Sequence, residues 1–459
     1  MGKCASIRRF ALIIFNCLLL LLVCRASSKP ASLDAPPAQV LSVPGVSPQP
    51  APAETKSSER PRTEQYTLSH DRYQKTIAYS RATYTLYFVF YISGIIFLLL
   101  ILRLGVAAKF RNIAEAASGN QWVQGMLFIP LLLLTLDLLD LPLSIYWHSL
   151  SLRYQQSVQP WGSWISDWAK RELLGAAFWI VVALILFAVM RRSPRRWWMY
   201  FWFPAVLILL GLIVISPLVF DPIFNKFEPL SNQHADLVKS IENLTAHAGV
   251  PVPPERMFLM VASRKTNAVN AYVTGLGASK RVVVWDTLIE KASKEETLFI
   301  VGHELGHYVL GHVFKGFLCG AAGLFVVLFL LFRGLHWSLG RWAQDWSIQG
   351  PEDWASFAVL LLMLQLLLFV SLPVISGFSR MEEHAADVYG LEVIHGLIPN
   401  SEEVAAHAFQ VLGELDLADP NPPRFIKFWL YSHPPLAERL VFAHNYDPWS
   451  KGESPKYVK

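Results

Sequence analysis

Six stretches of the chain are almost wholly apolar, at about 84–102, 122–146, 172–190, 199–220, 316–335 and 355–377, with polar segments between them. A helix needs about 20 apolar residues, at about 1.5 Å of rise each, to cross the hydrocarbon of a bilayer, and each run is long enough to do so. The pattern predicts a mainly α multi-pass membrane protein, with four spans before a polar stretch and two after it. A shorter run, 10–24, follows Lys3, Arg8 and Arg9 and precedes Ala26, Ser27 and Ser28. This is the layout of a signal peptide or of a retained signal anchor, and an anchor would bring the spans to seven. From Lys29 to Arg62 the chain turns to Pro, Ala and Ser, which cannot bury enough apolar surface to offset the entropy of ordering, so it reads as a tether.

The polar stretch changes period. Residues 231–250 space their apolar positions as an amphipathic helix, while Met257 to Ala262 and Arg281 to Trp285 read as short strands around Asn270, Ala271 and Tyr272. The expected division is therefore a signal or anchor at 1–28, a tether and pre-membrane segment at 29–80 and a four-helix membrane region at 81–220. A small α/β zincin-like domain at 221–314, a helix pair at 315–378 and a C-terminal part of the same domain at 379–459 follow. Asp137 and Asp140 fall inside the second run, where facing lipid would be costly, so they should face a polar interior or each other.

Composition supports the membrane reading and narrows the chemistry. Hydrophobic residues make up 53%, charged residues 16% and aromatics 13%, too apolar for an ordinary soluble protein. The net charge is +5, with no basic face interleaved with aromatics, so no nucleic-acid partner is expected. Cys4, Cys17, Cys24 and Cys319 lie in or beside apolar runs and suggest neither a disulfide framework nor a cysteine metal site.

The informative segment is His303-Glu304-Leu305-Gly306-His307, within Glu295 to His312, which has helical length and no proline. Residues four apart share a helix face, so two imidazoles converge on one ion and supply two of the three protein ligands of a catalytic zinc. Glu304, next to the first ligand, can reach the water in the open position as general base. For the third ligand, His312 lies on about the opposite face if the helix continues, nine residues past His303. Glu383 is better placed, because it follows the last apolar run and two spans return the chain to the side of the first two ligands. Asp387, one helical turn further on, could hold the second ring nitrogen of a ligand histidine. Glu382 and His384 remain the rivals of Glu383.

With these residues assembled, the chain resembles the type I CAAX prenyl endopeptidases, zinc-dependent multi-spanning enzymes of the gluzincin class. The resemblance runs from about Tyr73 to Arg439. Besides the metal motif and Gly311-His312 it rests on Asp221 to Leu230, on Asn270-Ala271-Tyr272 with Gly275, on Ser379 to Asp387, and on His433-Pro434-Pro435 with Arg439. It implies that His303, His307 and Glu383 bind one Zn²⁺ and that Glu304 is the catalytic base. It implies further that the Asn270-Ala271-Tyr272 edge pairs with the substrate backbone, Asn270 first, and that His433 and Arg439 stabilise the oxyanion or substrate carbonyl. The heat-shock-type membrane zinc endopeptidases share the motif with fewer spans and stand as the nearby alternative.

Lys3, Arg8, Arg9, Arg103, Lys109, Arg111, Arg191, Arg192, Arg195, Arg196, Arg333 and Arg341 all fall on one side of the expected spans. By the positive-inside bias that side is cytoplasmic, which puts the zinc domain on the extracytoplasmic side. The expected activity is cleavage of peptide or protein substrates near the bilayer, lipidated C-termini and damaged membrane proteins among them. A carrier using Asp137 and Asp140 and a metal-binding scaffold without turnover are the readings from other classes.

Overall fold

In a computed structural model the chain is described at Tyr66 and from Leu68 to Val458, apart from Leu276. The signal or anchor expected at 1–28 and the tether expected from Lys29 to Arg62 lie outside the described residues. Six helices among the described residues are long and apolar enough to span a bilayer: α1 (His70–Arg103), α3 (Gln121–Arg153), α4 (Trp161–Arg192), α5 (Trp197–Phe224), α9 (His312–Trp342) and α10 (Ser356–Ile394). Each begins or ends beyond the apolar run that announced it. α1 starts at His70, so the last residues of the pre-membrane segment are helical. A short amphipathic helix, α2 (Val106–Ala117), lies between the first two spans.

The spans pack through large side chains such as Phe128, Phe187, Trp354 and Phe357, all fully buried or nearly so. Phe203, Leu207, Val370 and Val374 stay exposed on the outside, the arrangement expected of helices whose outer surface meets lipid. Inside the bundle the Tyr91 hydroxyl donates to Gln365 O at 2.7 Å and Gln365 Nε2 donates to Tyr91 O at 2.9 Å, a reciprocal pair that joins α1 to α10 away from water. Asp140 is fully buried, and Ser93 Oγ donates to its Oδ1 at 3.3 Å, so it faces α1 rather than lipid.

The chain between α5 and α9 forms a four-stranded sheet with helices against it. β1 (Phe227–Pro229), β2 (Met257–Met260), β3 (Ala271–Thr274) and β4 (Arg281–Trp285) take the order β1-β2-β4-β3, with β2 and β4 parallel and the other pairs antiparallel. The run Val282-Val283-Val284-Trp285 is buried throughout, as befits a strand paired on both sides and covered by helices. α6 (Ala235–His247), α7 (Asp286–Lys291), α8 (Lys294–Val309), α11 (Ser401–Leu415), α12 (Arg424–Leu430) and α13 (Leu436–Asn445) complete the fold.

This domain sits at one end of the bundle. Arg72 donates to Glu414 O at 2.6 Å, and the turn after α3 meets the domain where Val158 N donates to Lys265 O at 3.1 Å. At the other end Arg111 of α2 pairs with Asp353 in the loop before α10.

Candidate metal centre

The helix that carries His303 and His307 starts at a capping box: Ser293 Oγ accepts from Glu296 N at 3.2 Å, and Glu296 Oε2 accepts from Ser293 N at 2.7 Å. From Glu296 to His307 every side chain of α8 is buried, between β3 on one side and α10 on the other. α10 runs unbroken from the membrane into this domain and brings Glu383 against α8. The crossing is close because Gly390 has no side chain: a Cβ there would lie 3.0 Å from His303 N.

His303 Nε2 and His307 Nε2 lie 3.2 Å apart, and they stand 3.4 and 3.5 Å from Glu383 Oε2 and Oε1. All three residues are buried, and their ligand atoms fall within 4.8 Å of one another. A tetrahedral ion with bonds of about 2.0–2.1 Å has edges of about 3.3 Å. The observed separations match such edges, so the donor set fits a metal of that size. The rivals are turned away: Glu382 is half-buried, and His384 is exposed with its ring against Phe442 at 4.7 Å.

The outer nitrogens of both imidazoles are occupied, which leaves the Nε2 atoms to face the centre. His303 Nδ1 stands 2.8 Å from Asp387 Oδ1. Asp387 in turn accepts from Arg439 Nε at 2.8 Å and NH2 at 2.5 Å, and the guanidinium lies over the Phe409 ring at 4.3 Å. His307 Nδ1 lies 2.9 Å from His312 Nδ1. With Nε2 facing the centre, the proton sits on His307 Nδ1 and His312 accepts it.

Residues 231–446 match the model of peptidase family M48, and residues 53–226 match the model described as CAAX prenyl protease N-terminal, five membrane helices. An uncharacterized metalloprotease of Bacillus subtilis, YhfN, is 34% identical over 74% of this chain and 78% of its own. The chain belongs to peptidase family M48. CAAX prenyl protease 1 of Saccharomyces cerevisiae is 28% identical over 69% of this M48 chain and 71% of its own. A crystal structure of Ste24p from S. mikatae superposes with a TM-score of 0.70 at 25% identity, covering 82% of this chain and 89% of that one. The protein is thus an integral, multi-pass membrane metalloprotease of the CAAX prenyl protease type. Within the N-terminal match the M48 chain has α1 to α5, four of them spans and one the amphipathic α2.

Of the remaining expected residues of the protease, Asn270, His433 and Arg439 line, with His303 and others, one cavity of about 60 Å³. Asn270 is buried just before β3; its carbonyl accepts from Trp285 N at 3.0 Å, while its Nδ2 has no hydrogen-bond partner. Ala271 and Tyr272 lie in β3, the last strand of the sheet, and the Tyr272 hydroxyl donates to Asp221 Oδ2 at 3.2 Å. Glu304 is buried one residue after His303. His433 Nε2 stands 3.2 Å from Glu383 Oε2, beside the candidate metal ligands. The cavity continues between Phe299, Ile300, Phe409 and Leu412 to Asp416 and Asp419. Burial pushes the Asp419 carboxyl above its usual range, with the Asn421 N–H opposing.

Two placements differ from expectation. α8 does not continue to His312: it ends at Val309, Gly311 takes the left-handed conformation (φ 67°), and His312 opens α9. The break returns His312 to within 2.9 Å of His307 Nδ1, so it is not remote from the centre, although it stands behind a candidate ligand and is not part of the donor set. The signal was Gly311 itself, a helix-ending residue directly before a histidine. Arg439 is expected to face developing charge on the substrate, yet two of its N–H groups are held by Asp387.

Proposed function

We propose that the protease is a zinc endopeptidase in which His303, His307 and Glu383 hold one Zn²⁺ per chain. The single observation that carries this reading is the close donor set of two imidazoles and one carboxylate: the two Nε2 atoms lie 3.2 Å apart, with one oxygen of Glu383 3.4 Å from His303 and the other 3.5 Å from His307. Zinc, when bound, supplies Lewis-acid polarisation of the scissile carbonyl and lowers the pKa of water to about 7. Glu304 accepts the proton of the attacking water and delivers it to the departing amine. His433 donates to the carbonyl oxygen as negative charge develops there, a role its place beside Glu383 supports. Asp387 holds the proton of His303 Nδ1, Arg439 fixes Asp387, and His312 accepts from His307. These three are positioning residues.

The substrate lies extended along the outer edge of β3, main chain to main chain, with Asn270, whose buried Nδ2 has no hydrogen-bond partner and which lines the same cavity as His303, as its first side-chain contact. Ala271 contributes backbone to that edge, and Tyr272 braces it through Asp221. The cavity walls of Phe299, Ile300, Phe409 and Leu412 suit an apolar side chain flanking the cleaved bond. Substrates are peptides or proteins presented at the bilayer surface. The names of the CAAX prenyl protease relatives support lipidated C-termini as one class.

The metal-bearing regions, 221–314 and 379–459, work as one domain beside the membrane regions 81–220 and 315–378. Arg103, Arg191, Arg192, Arg195, Arg196, Arg333 and Arg341 belong to the opposite end, which supports an extracytoplasmic metal centre.

The Glu304→Gln variant tests the reading. Cleavage of an internally quenched peptide should fall by on the order of 10²- to 10⁴-fold while zinc per chain is retained. Cleavage at the wild-type rate would remove Glu304 from the chemistry.

A further inference from the structure

At the end of the bundle remote from the metal centre lies a second cavity, of about 310 Å³, lined by Gln121, Trp122, Leu184, Ala188, Arg191 and Arg192. Its walls are of two kinds. Leu184, Ala188, Arg191 and Arg192 follow one another at helical spacing along α4, so an apolar strip leads directly into two guanidinium groups. On the other side α3 begins, with Gln121 and with Trp122, whose ring is 53% exposed at the level where spans leave the hydrocarbon.

The two arginines are not equivalent. Arg191 is fixed: its guanidinium lies over Trp354 at 4.6 Å and Phe187 at 5.6 Å, and it donates to Glu352 O at 3.4 Å. Arg192 is exposed and makes no ion pair among the described residues. Of the nearby acids, Asp353 is taken by Arg111, while Glu352 attracts Arg191 from outside the cavity and leaves Arg192 without an ion pair among the described residues. The same end carries Arg103, Lys109, Arg195, Arg196, Arg333 and Arg341, whereas the cavity itself contains no carboxylate.

We propose that this cavity binds the headgroup of an anionic phospholipid. The phosphate sits between Arg191 and Arg192, where guanidinium groups give short, charge-assisted hydrogen bonds, and Gln121 donates from the side. Trp122 stands at the headgroup level, and the acyl chains run down past Ala188 and Leu184. The apolar strip selects a lipid over free phosphate, which gains nothing from it.

The test is thermal unfolding of the purified full chain in a zwitterionic detergent, titrated with short-chain phosphatidylglycerol, short-chain phosphatidylcholine or inorganic phosphate. Phosphatidylglycerol should raise Tm to a plateau, and the other two should leave it unchanged. In Arg192→Gln the half-saturating concentration should rise about tenfold, the loss of one charge-assisted contact of about 1.4 kcal/mol. Arg195→Gln, which removes the same charge outside the cavity, should titrate like the wild type. An equal response to phosphatidylcholine or to inorganic phosphate would overturn the proposal. So would an unaltered Arg192→Gln titration, or an Arg195→Gln titration weakened as much.

Discussion

Each imidazole at the centre is gripped from behind, and the two grips differ in strength. His303 leans on a buried carboxylate that is itself paired with a buried guanidinium, whereas His307 leans on a neutral ring. Outer partners of this kind are worth about 10- to 100-fold in metal affinity. Asp387→Asn should therefore weaken zinc retention by about that factor, measured as zinc lost to a graded chelator, and His312→Ala should do so at the lower end of that range. Equal retention by Asp387→Asn and the wild type would separate Asp387 from the metal. Arg439→Ala strips a buried carboxylate of its partner and should cost about 3–5 kcal/mol of stability, read from denaturant unfolding. Glu383 and Asp387 were legible because one helical turn separates them. The Arg439 pairing was not, because Arg439 and Asp387 lie 52 residues apart in sequence and local spacing carries no record of where α13 docks.

Between elements, the centre depends on how closely α8 and α10 approach. Their candidate ligands are separated in sequence by the membrane-spanning parts of α9 and α10, so the crossing, rather than either helix alone, sets the Glu383 to histidine distances. Gly390→Ala would place a methyl 3.0 Å from His303 N, and the backbone must yield. The expected result is a folded protein, by circular dichroism, with reduced zinc content and activity. Full activity would show that the crossing has slack. The spans were readable from their apolar runs, and the strands on either side of Asn270 from the short apolar runs Met257 to Ala262 and Arg281 to Trp285. The end of α8 was not, since Glu295 to His312 contains no proline and only the left-handed Gly311 stops the helix. The unbroken α10 was equally hidden: polarity changes along it at Ser379 and Arg380, but the backbone does not.

For the whole molecule, the metal-centre domain lies at one end of the bundle and the cluster Arg103, Arg191, Arg192, Arg195, Arg196, Arg333 and Arg341 at the other. A C-terminal tag should therefore be digested in sealed right-side-out vesicles and protected in inverted ones; the reverse pattern would place the metal centre in the cytoplasm. The membrane does more than anchor the enzyme. It fixes α9 and α10 as a pair, and that pair returns Glu383 to the histidines. The claim on which this arrangement rests is that three side chains from α8 and α10 share one ion. Zinc content of purified protein, measured side by side for the wild type, Glu383→Gln and Glu382→Gln, addresses it most directly. The account predicts one zinc per chain in the wild type and in Glu382→Gln, with zinc lost from a still-folded Glu383→Gln. One zinc per chain in Glu383→Gln, or its loss only from Glu382→Gln, would contradict it.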